Sequence, residues 1–135
     1  MNDTGINNLA SSHSVAASVE RLETLLRANG LKIFLRLDQA AEAKAVGLTM
    51  PPMVLIIFGD PKTGTPLMQR HPSLAMDLPL KALVWESGDG KVWISHHRPE
   101  FLQVRHGLDT LPFQNVGRLL QTAAQRAQTA IEFDR

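Results

Sequence analysis

Cysteine is absent from the chain, which removes disulfides, thiolate nucleophiles and zinc–thiolate centres together and suits a reducing compartment. Long apolar runs are absent too. Nowhere do about 18 consecutive apolar residues occur, the length a membrane-spanning helix needs, although 44% of the 135 residues are apolar. The first residues, MNDTGINNLASSHS, hold neither a basic segment nor an apolar one, which argues against a secretory signal. The expectation is a cytoplasmic protein with no membrane association. An excess of one charge is also missing. Fourteen Lys and Arg face 13 Asp and Glu, a formal charge of +1, and no basic run exceeds Arg70-His71 or His96-His97-Arg98. A nucleic-acid reader needs clustered Lys and Arg, so no nucleic-acid partner is expected. The chain has no G-x-S-x-G elbow, no G-x-G-x-x-G after a strand and no H-E-x-x-H, which sets aside α/β-hydrolases, Rossmann enzymes and zincins.

What is present is enough for one packed domain spanning 1–135, since a chain of this length buries roughly two-thirds of its unfolded surface. In residues 14–29 apolar side chains fall at Val15, Val19, Leu22, Leu25 and Leu26, a helix with one buried stripe. Ser12 or Ser14 can cap its start, and Gly30 stands where a left-handed residue would stop it. Residues 31–37 alternate, placing Leu31, Ile33, Leu35 and Leu37 on one face of a strand. Asp38 can then cap a short helical turn over QAAEAKAV ending at Gly47. MVLIIF at 53–58 does not alternate and reads as a central strand covered on both faces.

Residues 59–69, GDPKTGTPLMQ, read as a glycine-hinged loop followed by a helix from about Thr65 to Arg70. Such a loop can aim backbone N–H groups at an anion, as phosphate sites do. It is not a P-loop: Gly59 and Gly64 have the right separation, but Thr65 occupies the lysine position and Pro66 follows. The clearest strand pair is 78–86 with 91–95. With Gly88-Asp89 as a two-residue turn, Trp85 faces Val92, Leu83 faces Ile94 and Lys81 faces His96. Pro99 can open a short helix closed by Gly107. A last helix over 112–131, opened by Pro112, carries Val116, Leu119, Leu120, Ala123, Ala127 and Ile131 as its stripe. Residues 1–9 read as a flexible arm or an edge strand.

The strings RLDQAAEAKAVGL, LIIFGDPKTGTPLMQ, DLPLKALVWE, DGKVWIS and RHGL, in this order, resemble the family called domain of unknown function 302 over residues 13–108. The resemblance implies an α+β domain in which an antiparallel sheet of four to five strands packs helices on one face, in the order β-α-β-β-β-β-α, and commonly a homodimer. It implies no reaction. The family's shared positions fall here on Asp38, Gly47, Phe58, Gly59, Pro61, Gly64, Thr65, Asp77, Pro79, Lys81, Trp85 and His106. The SHHRP at 95–99 departs from a Tyr-Asn-like pair in the family, so a role for His96 or His97 would be private to this chain.

Lys81 beside His96 on an apolar strand face would feel desolvation and a neighbouring charge, both of which move pKa values into the working range. Alternatively Lys81 snorkels to water at the sheet's end. Asp77 could pair with Lys81 or Arg70, or bond its own turn. Asp38 could be a general base or simply a cap. Adjacent His96 and His97 point to opposite faces, so with His106 they make a poor metal set, and neither metal nor cofactor is expected. His106 before Gly107 reads as a helix C-terminal residue interacting with the dipole.

The functional expectation is a small homodimeric domain that holds a small anionic metabolite near Gly59, Lys62, Gly64, Thr65 and Lys81. One alternative is a metal-independent enzyme using Lys81 with His96 or Asp38 as base. Another is a structural dimer or adaptor whose interface is covered by Trp85 and Trp93.

Overall fold

The computed structural model of the chain describes residues 4–125. Along it run β1 (Ile6–Ser11), α1 (Val15–Ala28), β2 (Lys32–Asp38), α2 (Gln39–Ala45), β3 (Met53–Gly59), α3 (Pro61–Arg70), a 3-10 helix (Pro72–Met76), β4 (Leu80–Glu86), β5 (Val92–His97), α4 (Pro99–His106) and α5 (Gln114–Ala124). The strands form one five-stranded antiparallel sheet in the order β1-β5-β4-β3-β2. This is the α+β arrangement expected, with the residues at 6–11 forming an edge strand.

Helix α1 starts where Ser14 accepts the Ala17 N–H and stops before Gly30, whose φ of +80° few residues other than glycine adopt. Its stripe of Val15, Val19, Leu22 and Leu26 lies on the sheet against Ile56, Phe58, Ala82, Val84 and Ile94. Complete burial of a leucine such as Leu22 contributes about 2 kcal/mol. Alongside it packs α5, through Leu120, Ala123 and Ala124. The Arg21 guanidinium ties the two helices by donating to the carbonyls of Thr122 and Ala123 at the end of α5, where a cation also complements the dipole. The last helix begins at Gln114, with Phe113 ahead of it at φ 54°, rather than at Pro112. Ala127 and Ile131 lie outside the described residues.

Two local features set which side chains face the helices: the first breaks alternation and the second shifts a register. In β2 the pairing with β3 shifts between Ile33 and Leu35, leaving Phe34 as a bulge. Ile33 pairs with buried Phe58, but after the bulge Arg36 pairs with buried Ile56, while Leu35 and Leu37 face Ile57 and Leu55. The four residues expected on one face are thus split between two. The hairpin is the second feature. Ser87 N–H donates to Lys91 O and Gly90 N–H to Ser87 O, so Gly88, Asp89 and Gly90 form a three-residue loop with Gly90 at φ +83°. The expected two-residue turn is therefore wrong by one residue: Ala82, not Lys81, faces His96, and Trp85 faces Trp93. A one-residue slip moves every side chain to the opposite face.

The strand over MVLIIF is correspondingly covered on one side and not both. Ile56 and Phe58 are fully buried under the helices, whereas Leu55 and Ile57 on the other side are half-buried. By register that second face carries Leu35 and Leu37, then Met53, Leu55 and Ile57, then Leu83 and Trp85, then Trp93.

Arg36 reaches the helix side of β2 to meet Glu23 of α1. Its Nε and Nη2 donate to both Glu23 carboxylate oxygens at 2.9 and 2.7 Å, a bidentate pair, and Nη2 also reaches Glu20 at 3.1 Å. Glu23 is 4% exposed. The Arg36 hydrogen bond holds its carboxyl below the usual carboxylate range, against an opposing effect of burial. Because the folded state binds that proton less readily than the unfolded one, the stabilisation is present above the ordinary carboxylate pKa and is lost as pH falls through the lowered one. Replacing Arg36 by Ala leaves a buried carboxylate with Arg27 at 3.5 Å as its remaining ion pair and should cost on the order of 2–3 kcal/mol at pH 7. Urea denaturation at pH 7 and pH 3 checks this, because the difference between wild type and Arg36→Ala should narrow at the lower pH.

Candidate functional site

The stretch expected to be an anion-binding loop is a helix. Asp60 caps α3: its carboxylate accepts the Lys62 N–H at 3.0 Å and the Thr63 hydroxyl at 3.0 Å, while its carbonyl accepts the N–H groups of Thr63 and Gly64. Pro61 sits in the first helical turn, where its missing N–H is tolerated. The Lys62 amide that would have held a ligand anion is already met by the protein's own carboxylate, and those of Thr63 and Gly64 by the Asp60 carbonyl. Thr65 is inside α3, and Gly64 is buried where an added Cβ would touch the Leu78 side chain at 3.5 Å. Asp60 and Pro61 are the local signals for this helix start, and Gly64 lies within the helix and not in a loop.

Beside α3 lies a cavity of about 140 Å³. Phe34, Met68, Leu78, Pro79, Leu80 and Phe113 supply most of its apolar wall, with Asp60, Gly59, Gly64 and Thr65 along one side. The β2 bulge turns Phe34 toward it, and Phe113 reaches it from a left-handed backbone. A non-glycine residue held there stores strain of about 1–3 kcal/mol and is kept by its surroundings.

Lys81 and His96 are apart. Lys81 faces Ile57 across the sheet, on the face away from the helices, and its Nζ donates to Pro79 O at 3.3 Å. His96 is 8% exposed on the helix side. Its Nδ1–H donates to His97 O at 3.0 Å, leaving Nε2 to face the Asn7 amide at 3.4 Å. Burial first, and the neighbouring His97 charge as a smaller contribution, push its pKa below the ordinary imidazole value, while the carbonyl hydrogen bond acts in the opposite sense. His97 points the other way, exposed and stacked on Phe101 at 5.8 Å. Asp38 caps α2 by accepting the Ala41 N–H at 2.9 Å. Neither Asp38 nor Lys81 meets His96, so the arrangement expected for a Lys81-centred enzyme is not assembled.

On the face that carries Lys81, Trp85 and Trp93 stand opposite one another. Each indole N–H is held: Trp85 donates to Ser95 Oγ at 2.9 Å and Trp93 to Ser87 Oγ at 3.2 Å. Ser95 Oγ in turn donates to Asn8 Oδ1 of β1 at 2.5 Å. With their polar ends satisfied inside the sheet, both rings present apolar faces outward.

A third constellation went unseen in the sequence. Asp77 pairs with neither Lys81 nor Arg70. It accepts from His106 Nε2 at 2.5 Å and from Arg105 Nε at 3.1 Å, and the other imidazole nitrogen, Nδ1, meets Ser73 Oγ at 2.8 Å. The His106 side chain is 3% exposed. The contributing residues lie on the 3-10 helix, the turn after it and the end of α4, and only chain folding brings them together.

Among curated proteins, the chain is 45% identical over 106 residues to the Fluoride-specific ion channel FluC 1 of Brucella suis biovar 1 (strain 1330), covering 78% of this chain and 42% of that protein. The match to the Fluoride-specific ion channel FluC 1 of Brucella abortus biovar 1 (strain 9-941) has the same identity and covers 39% of it. The chain therefore spans about two-fifths of the length of these relatives. Among the described residues no helix is long and apolar enough to cross a membrane. The crystal structure of an uncharacterized conserved protein DUF302 from Bacillus stearothermophilus superposes with a TM-score of 0.76 at 18% identity, covering 90% of this chain and 97% of that one, which is a likeness of fold. The family model described as Domain of unknown function DUF302 matches residues 7–131, and the chain belongs to that family.

Proposed function

We propose that this protein is a self-associating domain: a homodimer whose two copies meet through the sheet face that the helices leave open. The observation that carries this is the continuous apolar surface of Leu35, Leu37, Leu55, Ile57, Leu83, Trp85 and Trp93, half-buried or exposed in the single chain. Five strands of about six residues give a face of roughly 24 by 20 Å, on the order of 480 Å² per copy. Two such faces approach the roughly 1,000 Å² that a specific interface requires. A second copy is the occupant favoured by the apolar area. The described positions on this face include Lys81, and Lys32 at one margin, so charge does not draw two copies together and the contact rests on apolar centre meeting apolar centre about a two-fold axis. The Brucella relatives place a segment like this one within longer chains, which accords with a self-contained module. The cysteine-free composition suits a reducing compartment, and the proposal puts the domain in the cytoplasm.

A second reading rests on the cavity beside α3. Its volume resembles that of a site able to hold a benzene-sized molecule. The ligand favoured there is small and neutral rather than anionic, because Asp60 already satisfies the nearby amides and the wall is mostly apolar. The strained Phe113 at its wall accords with a site shaped for something.

Sedimentation equilibrium should give twice the 14.9 kDa chain mass, and Leu83→Glu should weaken association at least 100-fold through a buried unpaired charge while far-UV circular dichroism stays unchanged. A monomeric wild type at tens of micromolar, or a Leu83→Glu dimer of unaltered affinity, rules the interface out. For the cavity, native and denaturing mass spectra of the purified protein should differ by one small neutral compound, and Leu78→Trp, which fills the space, should abolish that difference. A bound anion that survives Leu78→Trp would return the site to the start of α3.

A further inference from the structure

The cluster at Ser73, His106 and Asp77 has the connectivity of a nucleophile, a base and an orienting carboxylate. Asp77 accepts at Oδ2 from His106 Nε2, so the imidazole carries its proton on Nε2 and offers a lone pair at Nδ1. Ser73 Oγ lies 2.8 Å from that lone pair, and its hydroxyl hydrogen is directed there. Arg105 Nε donates to the same carboxylate oxygen at 3.1 Å, a second hydrogen bond that fixes the position of the carboxylate. The imidazole is buried, with 3% of its side chain exposed, whereas Ser73 is exposed on the first turn of the 3-10 helix. A dry base thus ends on a hydroxyl that solvent and solutes can reach. A hydrogen-bonded strut holding the 3-10 helix to α4 needs no such exposure of its final member.

We propose that Ser73 is an acylatable nucleophile, with His106 as its base and Asp77 as a positioning residue that fixes the imidazole tautomer. The nitrogen assignment is the mirror of the familiar serine-hydrolase one, since here Nδ1 faces the serine, but either nitrogen can take the proton. The substrate class is a small activated carboxylic ester. An exposed serine selects by the reactivity of the electrophile, and a good leaving group lowers the demand for stabilising an oxyanion. Ser73 Oγ bonds to the carbonyl carbon and its proton passes to His106 Nδ1. Collapse of the tetrahedral adduct breaks the bond to the leaving alcohol, which departs with that proton, leaving acyl-Ser73. Water then attacks the acyl carbon, gives a proton to Nδ1, and the carbon–Oγ bond breaks as Ser73 regains the proton and the carboxylic acid is released.

The test uses the whole chain with an aryl fluorophosphonate, which phosphonylates the serine oxygen and releases fluoride, and with p-nitrophenyl acetate as turnover substrate. The wild type should gain one phosphonyl group per chain, mapped by peptide mass spectrometry to Ser73, at a rate that rises with pH. The charged groups facing His106 are Asp77 and Arg105. Ser73→Ala should label nowhere and keep its circular dichroism, since the hydroxyl is on the surface. Asp77→Asn should slow labelling by about 100-fold or more and displace the pH profile, an effect that loss of a strut alone would not produce. Absence of an adduct at Ser73 with millimolar probe, an equal adduct in Ser73→Ala, or a labelling rate independent of pH would overturn the proposal.

Discussion

The parity of the sheet is the constraint on which this structure depends. An antiparallel strand points alternate side chains to opposite faces, so each strand must enter the sheet with the correct residue inward. Here two irregularities set that parity. The three-residue loop at Gly88, Asp89 and Gly90 brings Val84 and Ile94 inward and sends Trp85 and Trp93 outward. The bulge at Phe34 lets β2 begin with Ile33 against the helices and continue with Arg36 there. Without the bulge, Leu35 would be turned inward and the partner of Glu23 would be lost to the other face.

These features explain how one chain accommodates both a closed face and an open one. On the closed side α1 and α5 bury Leu22, Leu26, Ile56, Phe58, Ile94 and Leu120 completely. A charged pair is admitted at the border because Arg36 satisfies Glu23 with two hydrogen bonds while keeping part of its own side chain wet. On the open side the tryptophan N–H groups donate to Ser95 of β5 and to Ser87 at the hairpin, so the outward surface is apolar without leaving these donors unpaired. This is the apolar face through which the proposed self-association would bring two copies together.

The ends of the sheet carry the cavity and the hydrogen-bonded cluster on which the proposals rest. At one end Asp60 and Phe113 bracket an apolar cavity, and near it the 3-10 helix and α4 assemble Ser73, His106 and Asp77. Each depends on caps and turns rather than on strands. The carboxylate of Asp60 caps the start of α3 and places a negative charge where a ligand anion would otherwise meet the helix dipole.

Local signals settled much of this in the amino-acid sequence alone. Ser14 and Gly30 bounded α1, Asp38 and Gly47 bounded α2, and Gly107 closed α4, because a cap acts on its own backbone within a few residues. The stripes of α1 and α5 were likewise visible as a helical period. The misplaced elements turned on a single residue. Two-residue and three-residue hairpins contain the same SGDG letters, and the choice is decided by where Ser87, Asp89 and Lys91 bond. Alternation in residues 31–37 concealed the bulge, since a bulge is chosen by what β3 and α1 present on the two sides. Ser73, Asp77 and His106 were visible as residues but not as a group. Their meeting requires the 3-10 helix to pack beside α4, and a side-chain contact across so many residues leaves no period or spacing in the chain to announce it.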